Sequence, residues 1–191
     1  MQKASLYKVF IVINAVFQLT SCLGQSQTTR SQFRLLTYGM PDFEKQNAER
    51  VIADKWGIEF YSVAGCVITQ KLEDSVEQHN KAVEISIANK FGKDWRNKFH
   101  EEVDAEFERE TKITALIDRL DYVRKKRAEM EKEGNGLHYI MAPIVNTTKY
   151  NVYAQGWGTW NGQDEWVTYY KFVADYKTRS IKLLSDKVVK D

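Results

Sequence analysis

The C-terminal part of the chain alternates between apolar and polar positions, as β-strands with one covered face do. In residues 165–176 the even-numbered positions from Trp166 to Tyr176 share one face, and the odd-numbered positions share a more polar face. The first face is expected to pack on helices and the second to meet water or a ligand. The pattern predicts four strands, at residues 137–145, 150–160, 165–176 and 180–189. Their connections are shorter than a parallel crossover requires, so we expect an antiparallel meander.

Before these strands, apolar residues first recur at helical spacing and then form a continuous run. The first helix is expected to begin at Pro41–Asp42, with Asp42 as its N-cap, and to end at Trp56–Gly57. Residues 57–70 follow, and both of their alternate faces are apolar. They predict an interior strand that is covered on both sides.

Two or three further helices are predicted before residue 133. Asp74 or Ser75 is the expected N-cap of the second helix, which ends before Gly92. A longer helical stretch covers residues 95–132. Its apolar stripe changes phase near Thr111, which indicates a kink or a break at that position.

Together these elements predict an α+β fold. It consists of an N-terminal helix, a buried strand, two or three helices and a four-stranded antiparallel meander packed on the helices. The order of elements alone resembles the cone-shaped fold of the nuclear transport factor two family. Residues 33–191 have a length typical of a single domain.

The N-terminus is predicted to be a signal peptide over residues 1–21. Lys3 and Lys8 form its basic region and residues 9–19 its apolar region. The apolar region is shorter than the roughly 20 residues that a membrane-spanning helix needs.

Residues 19–22, Leu-Thr-Ser-Cys, resemble the lipobox of bacterial lipoproteins, and the resemblance covers this segment only. It implies that the thiol of Cys22 carries a diacylglyceryl group and that the chain is cleaved before it. The freed amine would usually be acylated as well, and several acyl chains give a stable anchor. Residues 22–32 are then a lipidated cysteine and a flexible tether. Leu23, in place of an aspartate, favours the outer over the inner membrane.

An ordinary secretory signal, cut near Gly24, is the alternative for this segment, and it predicts a secreted or periplasmic protein. Removing Lys3 and Lys8 with the signal peptide leaves 26 basic residues against 26 acidic ones. A neutral domain argues against bulk electrostatic binding to nucleic acid. The two cysteines exclude a disulfide-dense fold and a zinc site built from four thiolates.

Cys66 is the one thiol that remains if Cys22 is lipidated, so no intrachain disulfide is expected. A nucleophilic cysteine would need a partner among His79, His100 and His138. Cys66 lies within the predicted strand 57–70, which favours a small buried residue instead. The histidines and acids have no metal-ligand spacing, and no glycine-rich phosphate motif is present, so no catalytic residue, metal or cofactor is predicted.

Aromatic residues are concentrated around the turn Asn161–Gly162. Rings beside hydrogen-bonding groups are suited to stacking on sugars or binding a peptide. The candidate ligand-binding residues are Tyr153, Trp157, Trp160, Trp166 and Tyr169. In the alternative interpretation Trp157 and Trp166 fill the core, and Trp160 secures the hairpin through a cross-strand pair.

The sequence therefore predicts a lipid-anchored envelope protein whose domain binds or scaffolds and does not catalyse. Its expected partners are the membrane and an envelope glycan or protein. Two alternatives stay open: a carrier with an apolar pocket between sheet and helices, and a hydrolase that uses Cys66.

Overall fold

The structure is a computed structural model that describes residues 31–190, and over these residues the fold is α+β. The predicted signal peptide, Cys22 and most of the tether lie outside the described residues. The helices are α1 (Gln46–Trp56), α2 (Gln70–Phe91), α3 (Trp95–Ile117) and α4 (Asp121–Lys132). The strands are β1 (Phe33–Tyr38), β2 (Ile58–Ala64), β3 (His138–Pro143), β4 (Lys149–Trp160), β5 (Gln163–Asp175), β6 (Ser180–Ser185) and β7 (Val189–Lys190).

The predicted antiparallel meander is confirmed, with the strand order β3-β4-β5-β6. Its longest hairpin joins β4 to β5 through Asn161 and Gly162, which have φ values of 51° and 81°. Two successive residues with positive φ match the twist of antiparallel strands, and asparagine followed by glycine tolerates that conformation best. The short strand β7 pairs with β5. The inner face of this sheet packs against the second half of α3 and against α4.

The strand predicted at residues 57–70 exists as β2, but the prediction that both of its faces are covered is wrong. β2 pairs in parallel with β1, a strand that the hydrophobic pattern did not reveal, in a two-stranded sheet. Ile58 is buried in the core that the sheet forms with α1, α2 and α3, whereas Tyr61, on the opposite face, remains exposed. Asn80 on α2 completes the open edge of β1: its amide donates to the carbonyl of Leu36 and accepts from the Leu36 N–H, both at 2.8 Å.

The starts of the first two helices differ from the predictions. Asp42 accepts a hydrogen bond from the Glu44 N–H in a turn, and α1 begins later, at Gln46. Thr69, rather than Asp74 or Ser75, is the N-cap of α2, because its hydroxyl accepts from the Leu72 N–H at 3.3 Å. The predicted ends before Gly57 and Gly92 are confirmed.

The helical stretch at residues 95–132 is broken, as predicted, but not at Thr111. The Thr111 hydroxyl donates to the Phe107 carbonyl, and α3 continues through this position. The break lies at residues 118–120, where the side chain of Asp118 is hydrogen-bonded to residues outside α3. Its carboxylate accepts from Tyr139 at 2.5 Å and from Arg127 at 2.6 Å.

Helix α3 belongs to two separate hydrophobic cores. Phe99 and Val103, in its first half, pack with β1, α1, β2 and α2. Ile113 and Ile117, near its end, pack with α4 and the meander. The single domain at residues 33–191 stays a prediction, and α3 is the element that these two cores share.

A β-bulge in β5 changes which side chains face the helices. Ala154 pairs with Tyr170, whereas the next residue, Gln155, pairs with Thr168, so Tyr169 is the extra residue. Val167 and Tyr169 are therefore buried in the same core as the even-numbered residues that follow the bulge. The prediction that one unbroken face runs along residues 166–176 is wrong, because an inserted residue reverses the alternation.

Candidate functional site

An open groove lies between α4 and the β4–β5 hairpin. Three of the aromatic residues that the sequence singled out, Trp157, Trp160 and Tyr169, line it beside charged groups of α4 and of the hairpin. The two aromatic residues that pack toward the helices and the charged residues of the groove are Trp160, Tyr169, Lys126, Glu129, Glu133 and Asp164. We call these six residues and the space between them the hairpin groove. Aromatic surface combined with a few polar groups is the usual composition of a ligand site.

Tyr169 is fixed in the wall of the hairpin groove. Its hydroxyl donates to the carbonyl of Trp157 at 2.9 Å. The ammonium group of Lys126 lies 4.9 Å from the centre of the Tyr169 ring and is also paired with Glu129 at 2.8 Å. Burial raises the pKa of the Tyr169 hydroxyl above its ordinary value.

Two glycines of β4 allow the strand to approach its neighbours closely. A Cβ atom on Gly158 would overlap the hydroxyl of Tyr169. A Cβ atom on Gly156 would overlap the end of the Met130 side chain on α4 and the carbonyl oxygen of Gly136. The shape of this wall of the groove therefore depends on side chains being absent at both positions.

Tyr153 and Trp166 lie on the outer face of the meander, and Trp157 packs with Trp166 there while also lining the edge of the groove. Trp157 and Trp166 are directly opposite each other, and their rings meet edge to face with centres 5.9 Å apart. His138 packs on Trp166 with ring centres 5.5 Å apart, and Lys171 lies over the ring of Tyr153. The structure therefore separates Trp160 and Tyr169 from Tyr153 and Trp166.

The alternative interpretation of the aromatic residues is also corrected. Neither Trp157 nor Trp166 is part of a buried core, and 51% of the Trp157 surface is exposed. Trp160, which was expected to form the cross-strand pair, instead packs at the edge of the core. The cross-strand tryptophan pair is the one between Trp157 and Trp166.

Cys66 is exposed, so the prediction that it is a buried core residue is wrong. The reason is that β2 ends at Ala64 and leaves Cys66 in the connection to α2. Within residues 31–190, no histidine is hydrogen-bonded to it. His79 contacts the carbonyl of Arg34 at 3.0 Å. The pairing that a cysteine hydrolase would need is therefore not formed there.

Two buried glutamates were missed by the sequence reasoning. Glu106 and Glu110 lie one turn apart on the same face of α3, at the boundary between the two cores. The carboxylate of Glu106 accepts from Arg109 at 2.7 Å, and Asn47 donates to Glu110. Over the described part of the chain, the second oxygen of Glu106 is buried without a hydrogen-bond partner.

The environment of Glu110 favours its protonated form. Burial raises its pKa to about 7, and the negative charge of Glu106 acts in the same direction. The hydrogen bond from Asn47 and the charges of Arg50 and Arg109 oppose this effect without cancelling it. A signal for the pair was present, because the buried positions of α3 have spacings of three and four residues, and Glu106 and Glu110 occupy two of them.

Two features are absent from the described residues. No group of three or more histidine, cysteine, aspartate or glutamate side chains is placed to hold a metal ion. No helix in this range is both long enough and apolar enough to cross a membrane. In comparisons with known proteins, no family model matches the chain, and neither the curated proteins nor the solved structures give a significant match.

Proposed function

We propose that this protein is a bacterial envelope lipoprotein, anchored through Cys22, whose domain binds a ligand in the hairpin groove and does not catalyse a reaction. The anchor is supported by the lipobox-like residues 19–22. One observation supports the binding function: Trp160 and Tyr169 line the same groove as the charged residues of α4 and of the hairpin. Leu23 after the cysteine favours the outer membrane.

The chemistry of the groove favours a neutral glycan. A sugar ring offers an apolar face to an aromatic side chain and hydroxyl groups to the polar groups around it. Lys126 is the one cation among the six groove residues, against the three acids Glu129, Glu133 and Asp164. This balance disfavours polyanions such as nucleic acid, because they would meet an excess of negative charge.

The glycan proposal is tested by titrating the protein with neutral oligosaccharides of N-acetylglucosamine in a calorimeter. We expect Trp160→Ala to abolish binding, and Glu129→Gln to weaken it while leaving the apolar packing intact. Trp166→Ala is the matched control, because it removes an indole from the outer face of the same hairpin and should leave affinity unchanged. Equal binding by all the variants, or loss in Trp166→Ala alone, contradicts the assignment of the groove.

The anchor is tested by the intact mass of the full chain after expression in a diderm bacterium and purification from its membranes. A chain that begins at Cys22 and carries acyl groups supports the lipoprotein. Cys22→Ser should then release the protein from the membrane fraction. A chain that begins elsewhere without lipid identifies a secreted or periplasmic protein instead.

The two alternative functions have less support. A carrier needs an apolar pocket between sheet and helices, where Phe172, Ile113 and Val123 are fully buried in one packed cluster. Lipid that co-purifies in a native mass spectrum would favour the carrier. A hydrolase that uses Cys66 would require a histidine to move to this exposed thiol.

A further inference from the structure

Exposed apolar side chains are gathered at one end of the β1–β2 sheet. β1 and β2 are parallel, so the connections that follow them leave the sheet at the same end. The N–H of Gly39 lies within hydrogen-bond distance of the carbonyls of Ala64 and Gly65, which holds the two connections together. The apolar residues at this end are Tyr38, Met40, Phe43 and Val67, and we call them the apolar tip.

These side chains are too exposed to contribute to the nearby core. Met40 exposes 67% of its surface, Phe43 65% and Val67 91%. None of them belongs to the buried cluster that contains Phe33 and Leu35 of β1. Grouped exposed apolar residues in a soluble domain are typical of a surface that contacts a membrane or another protein.

The length of chain between Cys22 and β1 is sufficient for a bilayer that holds the anchor to contact the apolar tip. The described chain begins at Ser31, next to β1, whose six residues span about 17 Å at 3.3 Å per step. Between Cys22 and Ser31 the chain spans at most about 32 Å, whatever its conformation. An acyl anchor on Cys22 can therefore lie level with the apolar tip at the far end of β1.

The charges beside the tip indicate the kind of contact. Two lysines, Lys45 and Lys71, stand against four acids, Asp42, Glu44, Glu73 and Asp74, so there is no basic excess to attract anionic headgroups. Contact with a bilayer would therefore depend on burying apolar side chains at the boundary between headgroups and acyl chains. Such a contact requires neither low salt nor anionic lipid.

We propose that the apolar tip inserts into the surface of the bilayer that holds the lipid anchor. The domain then lies against the membrane through Met40, Phe43 and Val67 instead of being held by its tether alone. This inference rests on the proposed anchor at Cys22. It adds a second contact that fixes the orientation of the domain.

The exposed thiol of Cys66, next to Val67, provides a probe within the natural chain. Acylated Cys22 has no free thiol, so an environment-sensitive iodoacetamide dye labels Cys66 in the mature lipoprotein. We expect its emission to shift to the blue in phosphatidylcholine vesicles and to be quenched by lipids with a nitroxide near the headgroup. The signal is expected at low and at high salt, and added phosphatidylglycerol should not strengthen it.

The variant Met40→Ser/Phe43→Ser/Val67→Ser should lose the blue shift and the quenching while keeping its acyl mass. The matched control is Ile85→Ser/Val145→Ser/Leu184→Ser, which removes three other exposed apolar side chains and should keep both signals. An acylated wild-type protein whose label is not quenched overturns this inference and leaves the anchor intact.

Other outcomes separate this inference from the proposal on which it rests. Absence of acyl mass on Cys22 overturns the anchor, and this inference with it. Unlabelled protein is treated in parallel with copper–phenanthroline and oxygen, which accept the two electrons released by a pair of thiols. A rapid disulfide between the Cys66 residues of two copies, together with an unquenched label, would overturn the bilayer contact and show that a second copy of the chain covers the tip.

Discussion

The replacement Glu110→Gln is expected to make the protein more stable at neutral and alkaline pH. Glu110 is buried between the two cores, and its pKa is raised to about 7 by burial and by the neighbouring Glu106. The unfolded chain has a carboxyl pKa near the reference value of 4.5. The folded state therefore holds this proton more tightly, and stability falls as pH rises from about 4.5 to 7.

The magnitude follows from the two pKa values. One pKa unit corresponds to about 1.4 kcal/mol, so a folded value of about 7 against 4.5 makes the charged form cost about 3 kcal/mol. Glutamine keeps a side-chain oxygen that accepts from Asn47 and carries no charge at any pH. At pH 8 the variant should therefore exceed the wild type by up to about 3 kcal/mol, and at pH 4.5 the two should be nearly equal.

The assay is urea unfolding followed by tryptophan fluorescence at pH values from 4.5 to 8. Glu108→Gln is the control, because Glu108 is exposed on the same helix and paired with Lys112, which lowers its pKa. A lowered pKa makes stability rise slightly with pH near 4.5, so removing this carboxyl should not abolish the loss of stability that Glu110 causes between pH 4.5 and 7. If Glu110→Gln follows the wild-type slope across this window, Glu110 does not carry a raised pKa.

Three further predictions follow from particular contacts. Gly158→Ala should lower the free energy of unfolding in urea by about 1–3 kcal/mol, because its Cβ would overlap the Tyr169 hydroxyl. Adding Tyr169→Phe should restore part of this loss, and additive losses would contradict the overlap. Thr69→Ala should lower the free energy of unfolding by about 1 kcal/mol, because it removes the hydroxyl that accepts from the Leu72 N–H. An unchanged free energy of unfolding would mean that this N-cap does not stabilise α2. Cys66 in the folded protein should react with iodoacetamide about as fast as in urea, whereas protection until unfolding would contradict its exposure.

The sequence predicted the meander better than the first part of the fold. Short connections and the Asn161–Gly162 turn specify antiparallel neighbours locally, so β4 and β5 were predicted close to their observed ends. β1 pairs with β2 across more than twenty residues, and its apolar residues give no local signal of that partner. The apolar run that becomes β2 predicted a covered strand because hydrophobicity does not reveal which faces of a sheet other elements cover.

Only part of the candidate site was predicted correctly from the sequence. Trp160 and Tyr169 were singled out and do line one groove, but Trp166 was grouped with them and lies on the outer face. Trp166 and Tyr169 are three residues apart in β5, so ordinary alternation already places them on opposite faces of the strand. The bulge changes only which face the residues after Tyr169 occupy. Glu106 and Glu110 were readable from the helical spacing, because they continue the buried stripe of α3 with acids where apolar residues are expected.

The shared helix α3 has a consequence for how the molecule opens. Phe99 anchors one core and Ile113 the other, so local melting of either half of α3 removes packing surface that its neighbours need. The two halves of the protein should therefore unfold as one cooperative unit, and the amide protons near the middle of α3 should be among the last to exchange with solvent. The buried carboxyl of Glu110 lies in that segment, so protonation of this one group should change the rate of amide hydrogen exchange in both halves of the protein.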